Sequence, residues 1–581
     1  MAASFSFANL TLGDQCFKSP CYDAITVSGD SVVADIVRVR AAERGIGETG
    51  SKARVLEVRV AKDDGLVGDD AMIVCRGGRA TVRGSRRRAL VHGVGVLLRQ
   101  MTWQDGRFTL PDGEWSFSPQ SSLRQSYFAR QGHNVYFMWN DRQLARYCED
   151  LMLWGYNSVH VHSLPMLNFK STYEDDPEAR QFLDVFARLS VRLKELDMML
   201  QDSGMANLGF VDTPDELKAV PNKAIERKPL NSGVRICPNA PGAMDYILRC
   251  QRARFASLKR RGVEDLDCVR FWPYDEGGCG CDKCHPWGAN GFLKIVDALM
   301  PEIRRQFPSA KTMVSTWYFT QLDWSGFYKW LEKTPNRPDY VLADDYGPYR
   351  FPTYPVEHDL PEGVKLVTFP EISMNMRYPW GGYGAVCYPE YIRDRYRQTK
   401  GRACGFSCYS EGIYEDLNKV LTCGIYTSPS NSLEETCDQY ARYELGLKDG
   451  RRLAELVRAF EKNLLFERIS PAVAVNALQT AEAIDDEMLP RFRTAWRWRE
   501  LYLRAVIDFE ASRPGGSLHT AASDAAFAEL VRLSLAEPHK GDYKDQFHER
   551  TRPPSPGPEA EARGVWPYRP ANRPEKRGGS K

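Results

Sequence analysis

The stretch Phe271–Trp287, FWPYDEGGCGCDKCHPW, concentrates the side chains best suited to chemistry. A short hydrophobic run, Cys268–Trp272, leads into two adjacent carboxylates, Asp275 and Glu276. Neighbouring side chains on a strand point to opposite faces. Gly277 and Gly278 release the backbone from that geometry, so both carboxylates are expected to face one cavity. An ionised Asp beside a Glu raises the Glu pKa and keeps an acid protonated near neutral pH. Such a pair suits glycosidic-bond cleavage, where a carboxylic acid protonates the leaving oxygen and a second group acts on the other face of the sugar. The plain alternative is a polar strand-to-loop turn with a capping Asp.

Three cysteines follow at once in C-x-C-x-x-C spacing: Cys279, Cys281 and Cys284. Cys237, in ICPNAP, ends another expected strand and is the candidate fourth ligand of a tetrahedral site. The expectation is a structural zinc that pins two loops; the alternative is free thiols. A catalytic zinc is disfavoured, because such sites usually include His or carboxylate ligands and keep a position open. No cofactor is expected for the chemistry itself.

These groups need a scaffold. At 581 residues the chain has room for roughly two to four domains. A net charge of +2 argues against nucleic acid or an anionic membrane surface as partner. Aromatic residues make up 11% of the chain, with 13 Trp, which suits sugar-stacking surfaces and aromatic cores alike. The opening MAASFSFANLTLGDQCFKSP has no basic segment leading into an apolar run, and no stretch of 18 apolar residues occurs. A soluble, cytoplasmic protein is therefore expected. Its 15 cysteines then read as thiols or metal ligands rather than a disulfide framework.

Along the chain, residues 1–120 read as a small N-terminal α/β domain. VVADIVRVRAA, VLEVRVA and AMIVCRG alternate like strands, and a helix is expected over about Arg88–Met101. Arg86–Arg88 reads as a solvated helix start, and GRFTLPDGEWSF as a hairpin. Residues 121–428 alternate short β-runs with helical runs. Eight candidate strands are Ser158–His162, Asp197–Leu200, Val234–Cys237, Cys268–Trp272, Thr312–Thr316, Tyr340–Ala343, Lys365–Phe369 and Ala403–Cys408. That count and length predict a central (β/α)8 TIM barrel, an α/β fold with its site at the carboxyl ends of the strands. Those ends carry His162, Gln201-Asp202, Asn239, Asp275-Glu276, Trp317-Tyr318, Asp344-Asp345, Glu371 and Glu411. Residues 429–545 read as a helical region, and the Pro-, Arg- and Gly-rich 546–581 as a disordered tail.

The N-terminal segment VRGSRRRALVHGVGVLLRQ resembles the small α/β domain that precedes the barrel in family 20 hexosaminidases and family 67 α-glucuronidases. Further likeness to family 20 lies in WPYDEGG, in N-x-x-H-x-H (Asn157, His160, His162), and in Tyr409-Ser410-Glu411, where the family has W-x-E. The resemblance implies a retaining, substrate-assisted β-N-acetylhexosaminidase. Glu276 would be the general acid/base, and Asp275 would orient the 2-acetamido group that acts as nucleophile. It implies sugar contacts from Arg124, Asn157, His162, Trp317, Tyr409 and Glu411; Asp344 and Glu371, each at the end of an expected strand, are further candidate substrate contacts, either of which could also serve as nucleophile or base. The cysteine motif resembles uncharacterised barrel glycosidase relatives instead. If the enzyme uses two ordinary carboxylates, Glu276 with Glu371 is the pair. Rival readings are an α-glucuronidase-like enzyme, with Arg124, Arg130 or Arg377 meeting a uronate, and a catalytically silent carbohydrate-binding barrel.

Overall fold

The computed structural model describes residues 19–48, 54–128, 140–164, 169–220, 234–273, 278–344, 351–372, 385–410, 412–463, 469–513 and 520–534. Asp275, Glu276, Glu411, Arg130 and Arg377 lie outside the described residues.

A five-stranded sheet comes first, in the order Ala24–Gly29, Val55–Lys62, Arg79–Gly84, Ala71–Arg76, Gly113–Phe117. Val55–Lys62 alternates as its sequence demands: Leu56, Val58 and Val60 are buried, and Glu57 and Arg59 are exposed. VVADIVRVRAA, expected to be a strand, lies instead in the helix Ser31–Glu43. The Asp30 side chain caps its first turn by accepting from the Val32 and Val33 amides. Val33, Ile36, Val37, Arg40 and Ala41 share its buried face. Cap and packing thus override the β-branched composition. The expected hairpin GRFTLPDGEWSF is also divided. Arg107–Thr109 pairs with Thr102–Gln104, whereas Gly113–Phe117 joins the five-stranded sheet.

Eight parallel strands close the barrel: β1 (Leu123–Phe128), β2 (Ser158–Val161), β3 (Met199–Met205), β4 (Cys268–Trp272), β5 (Lys311–Ser315), β6 (Tyr340–Asp344), β7 (Lys365–Phe369) and β8 (Ala403–Ser410). β8 pairs with β1 to complete the circle. The helices between and after them are α1 (Asp141–Leu153), α2 (Pro177–Leu196), α3 (Ala243–Arg260), α4 (Gly291–Gln306), α5 (Gln321–Lys333), α6 (Tyr354–Glu357), α7 (Pro389–Thr399) and α8 (Asp416–Thr427). Capping boxes start α1 at Asn140 and α5 at Thr320.

Two assignments shift relative to the sequence reading, and they cancel. Leu123–Phe128, not among the eight expected strands, is the first strand of the barrel. Val234–Arg235 pairs antiparallel with Leu208–Gly209 in an excursion outside the barrel. Cys268–Trp272 therefore remains the fourth strand. The first strand was hidden because a polar layer around Arg270 interrupts the apolar interior of this barrel. Gln125 of LRQSYF faces inward and bonds to Ser158, Arg270 and Ser407, so the apolar alternation of the run is broken between Leu123 and Tyr127.

The sheet and the barrel meet at Asp69, whose carboxylate accepts from Arg88, Arg124 and Asn157. Arg86 and Arg87 are likewise paired, with Asp197 and Asp30, rather than simply solvated. The helix Arg87–Gln100 approaches α1 so closely that a Cβ on Gly95 would lie 1.9 Å from the Leu153 carbonyl oxygen. The helices Leu433–Leu445, Arg451–Lys462, Pro471–Glu487, Trp496–Ser512 and Ala521–Ser534 follow the barrel. Arg497 ties them to it through Asp150 and Asp416, each at 2.9 Å. No described helix is long and apolar enough to cross a membrane.

Candidate active site

Alternation along the strands sets what lines the barrel. On β4, Cys268 and Trp272 belong to the interior cluster with Leu123, Tyr127, Met313, Leu342, Val367 and Phe369. Arg270 lies between them in the same register and is fully buried. Its Nη2 donates to Gln125 Oε1 at 2.5 Å and Ser407 Oγ at 2.8 Å. Burial brings its pKa down to about 9, so it remains a cation near neutral pH.

Above Arg270 the rings form a continuous floor. Its guanidinium carbon lies 5.7 Å from the Tyr127 ring, 5.9 Å from Trp272 and 5.6 Å from Phe369, within cation–π range. Tyr127 stacks on Tyr409 at 5.2 Å. Trp272 meets Trp317 at 5.3 Å and Phe369 at 5.5 Å. Trp317 sits just past β5 on a tight turn closed by the Phe319 amide on the Thr316 carbonyl, with Tyr318 at φ 58°. A non-glycine residue in that region carries backbone strain, of the kind that accumulates at ligand clamps.

His162 follows β2 and stands at the edge of this floor. Tyr127 Oη lies 2.8 Å from its Nε2, and Ser203 Oγ 2.9 Å from its Nδ1. Burial, helped by the Arg270 charge, outweighs nearby Asp202 and lowers its pKa to about 4. The ring is therefore neutral near pH 7. His160, one pleat deeper, is held well below its ordinary value by burial first and Arg270 second. Neither of its ring nitrogens has a hydrogen-bond partner among the described residues.

The expected sugar contacts separate into two groups. His162, Trp317 and Tyr409 converge on the carboxyl ends of the strands. Glu371 lies just past β7, buried and bridged to Tyr409 of β8. Asp344 is the last residue of β6. Arg124 and Asn157 belong elsewhere: Arg124 is the second residue of β1, and Asn157 precedes β2, both at the amino end of the barrel. Arg124 places Nη2 on Asp69, Nε on the Gly155 carbonyl and Nη1 on the Ser121 carbonyl, each at 2.6 Å. Asn157 is spent on Asp69, the Ser122 carbonyl and the Arg124 amide. Both serve the joint between sheet and barrel. With their donors used there and the whole barrel in between, they cannot grip a sugar at its mouth.

Asp275 and Glu276 follow β4 by three and four residues, and Glu411 directly follows β8. Glu415 accepts from Ser410 Oγ at 2.8 Å and from the Gly412 amide at 3.0 Å. Sequence reasoning overlooked Tyr127, Arg270, Phe369 and Ser203. The available signal was register: each lies on the inward side of a strand, and a charged residue amid CVRFW has no other natural place. The four candidate metal ligands also meet. The Sγ atoms of Cys237, Cys279, Cys281 and Cys284 all lie within 4.8 Å of one another.

No family model matches the sequence, and no curated protein does. Solved structures are similar to the chain over most of its length. A family 89 glycoside hydrolase from Clostridium perfringens, in complex with PUGNAc, matches with a TM-score of 0.61 at 12% identity, over 92% of this chain and 71% of that one. A family 115 4-O-methyl-α-glucuronidase with specificity for decorated arabinogalactans gives a TM-score of 0.57 at 11% identity, over 88% and 76%. A family 138 enzyme targeting pectin rhamnogalacturonan II gives 0.54 at 12%, over 91% and 73%. At these identities the likeness is one of fold: the chain has the barrel architecture, with flanking elements, of several glycoside hydrolase families.

Proposed function

We propose that the chain is a glycoside hydrolase, with Glu276 as general acid/base and Asp275 orienting the 2-acetamido group of an N-acetylhexosamine. One observation carries the reading: β4 ends on the aromatic floor, and the carboxylate pair follows it within four residues. Barrels of this kind do their chemistry at that end. Trp272, Trp317 and Tyr409 offer flat apolar faces to a pyranose ring, and the Tyr127 hydroxyl, positioned by neutral His162, offers a hydrogen-bonding group for one of its hydroxyls. The similarly folded family 89 enzyme has been observed with its substrate GlcNAc-α-1,4-galactose, which supports an N-acetyl sugar. The scheme needs no cofactor.

The test is hydrolysis of aryl glycosides of GlcNAc, GalNAc, glucuronic acid and glucose in both anomers, with Glu276→Gln alongside. Loss of an acid catalyst costs about 10²–10⁴ in rate. Turnover of an N-acetyl sugar that collapses by that factor supports the proposal. Glucuronide turnover supports the α-glucuronidase reading instead. A sugar bound without turnover points to a carbohydrate-binding barrel.

A second reading pairs Glu276 with Glu371 as nucleophile or base. It is favoured by the place of Glu371, buried at the end of β7 and bridged to Tyr409. Substrate-assisted chemistry predicts that Asp275→Asn is the more damaging substitution and that a thiazoline analogue of the sugar inhibits. The two-carboxylate scheme predicts that Glu371→Gln abolishes turnover and that azide restores it.

A further inference from the structure

We propose that Cys237, Cys279, Cys281 and Cys284 bind one structural zinc ion, which fixes the β4–α4 loop against the excursion that follows β3. The distances carry the assignment. Cys237 Sγ lies 3.8 Å from both Cys281 Sγ and Cys284 Sγ. Four thiolates at about 2.3 Å around a tetrahedral zinc have edges of about 3.8 Å, which these two separations match, and all four sulfurs lie within 4.8 Å of one another. The same separation is far too long for a disulfide, whose sulfurs sit about 2.05 Å apart. An all-sulfur tetrahedron selects zinc or iron over hard cations. Cys237, Cys279 and Cys284 are buried and Cys281 is half-buried, which leaves no open position for substrate and makes the site structural.

The surroundings are built for metal-bound thiolates. Asn239 Nδ2 donates to Cys284 Sγ at 3.1 Å, and Lys294 Nζ holds Asn239 Oδ1 at 2.9 Å. A donor to a ligand sulfur, itself oriented by a cation, offsets the negative charge of four thiolates on a divalent ion. The Gly280 amide donates to the Val220 carbonyl at 2.8 Å, which ties the cysteine loop to the excursion. Apart from turns, no helix or strand is described between Trp272 and Gly291. Packing there is local: Trp287 Nε1 donates to the Pro273 carbonyl at 2.6 Å, and its ring covers Gly278, where φ is +66° and a Cβ would lie 2.0 Å from the indole. A zinc at these four sulfurs supplies the missing cross-link, three residues past Glu276.

The metal site stands independently of the reaction. Its effect on turnover rests on the glycosidase reading, so metal content is measured separately. The full chain, purified without metal-affinity steps, is analysed for bound metal by plasma mass spectrometry. It is then exchanged with cobalt and examined by hydrogen exchange before and after chelation. Expected are one zinc per chain, the intense visible bands of tetrahedral thiolate-bound cobalt, and faster exchange on chelation confined to residues 213–220, 234–242 and 278–292. Cys281→Ala lowers the zinc content, Cys281→His restores it, and Cys250→Ala, off the cluster, leaves it unchanged. Iron in place of zinc, a disulfide among the four cysteines, or four freely reacting thiols in a metal-free folded chain overturns the proposal. Zinc present with no turnover on any sugar refutes the glycosidase reading alone; turnover by a metal-free chain refutes the zinc alone.

Discussion

Arg124 separates the sequence reading from the structure most sharply. If it grips sugar hydroxyls, its loss raises KM. If it is the joint described above, its loss lowers stability and leaves KM alone. Its side chain is fully buried and its partner Asp69 is nearly so, with 2.6 Å between Nη2 and Oδ2. Arg124→Met keeps most of the apolar stem and deletes three charged hydrogen bonds. Asp69 keeps Arg88 and Asn157, whereas the Gly155 and Ser121 carbonyls lose their guanidinium donors. Breaking a buried pair in this way costs about 3–5 kcal/mol. For a cooperative unit of roughly 400 residues, sheet and barrel together, that is a fall of about 4–6 °C in melting temperature. Burial works to raise the Asp69 pKa, but the His92 ring, Arg124 and Arg88 outweigh it and hold the carboxylate well below the usual range. A depressed carboxylate stabilises the fold fully above its unfolded pKa, about 3.9, and loses that contribution as pH falls through the folded value. The deficit of Arg124→Met is therefore constant from pH 8 to about pH 5 and shrinks in stronger acid. Scanning fluorimetry over that range, with aryl-glycoside kinetics well below the melting point, measures both quantities. Unchanged stability with a several-fold rise in KM would refute the joint and return Arg124 to the substrate.

Other substitutions test the remaining links. His162 stays neutral down to about pH 4, so an imidazole titration followed by NMR shows no change for it between pH 5 and 8. Because the unfolded ring binds a proton near pH 6.5, folding stability falls as pH drops from there towards 4, and His162→Asn flattens that slope. Gly95→Ala forces α1 and its neighbour apart and costs about 1–3 kcal/mol in urea unfolding. Trp272→Ala removes the centre of the ring floor, costs about 3–5 kcal/mol of stability, and weakens binding of an N-acetyl sugar analogue by calorimetry. Glu500 is fully buried, neither carboxylate oxygen has a hydrogen-bond partner among the described residues, and burial raises its pKa well above the ordinary value. Its contribution is present below about pH 4.3 and lost as pH rises, so Glu500→Gln gains stability over the parent at pH 8.

The sequence by itself determined the barrel, because parallel strands covered by helices must recur as short β-runs between amphipathic ones; seven of the eight runs fall on barrel strands and the eighth on the excursion. It also assembled the cysteine cluster correctly, since C-x-C-x-x-C spacing is local and only one distant ligand had to be supplied. Order at the amino end was less legible. VVADIVRVRAA alternates like a strand, yet one capping aspartate and a buried face make it a helix. LRQSYF was missed because its central inward residue, Gln125, meets Arg270 and Ser407 and interrupts the apolar side formed by Leu123 and Tyr127. Roles at the site depended on which end of a strand each residue occupies. Asn157 and His162 are five residues apart in one motif, but the length of β2 puts the first at the joint and the second at the mouth. Periodicity reports which face a side chain takes. Only closure of the barrel decides what that face meets, because its partners come from strands as far as 282 residues away.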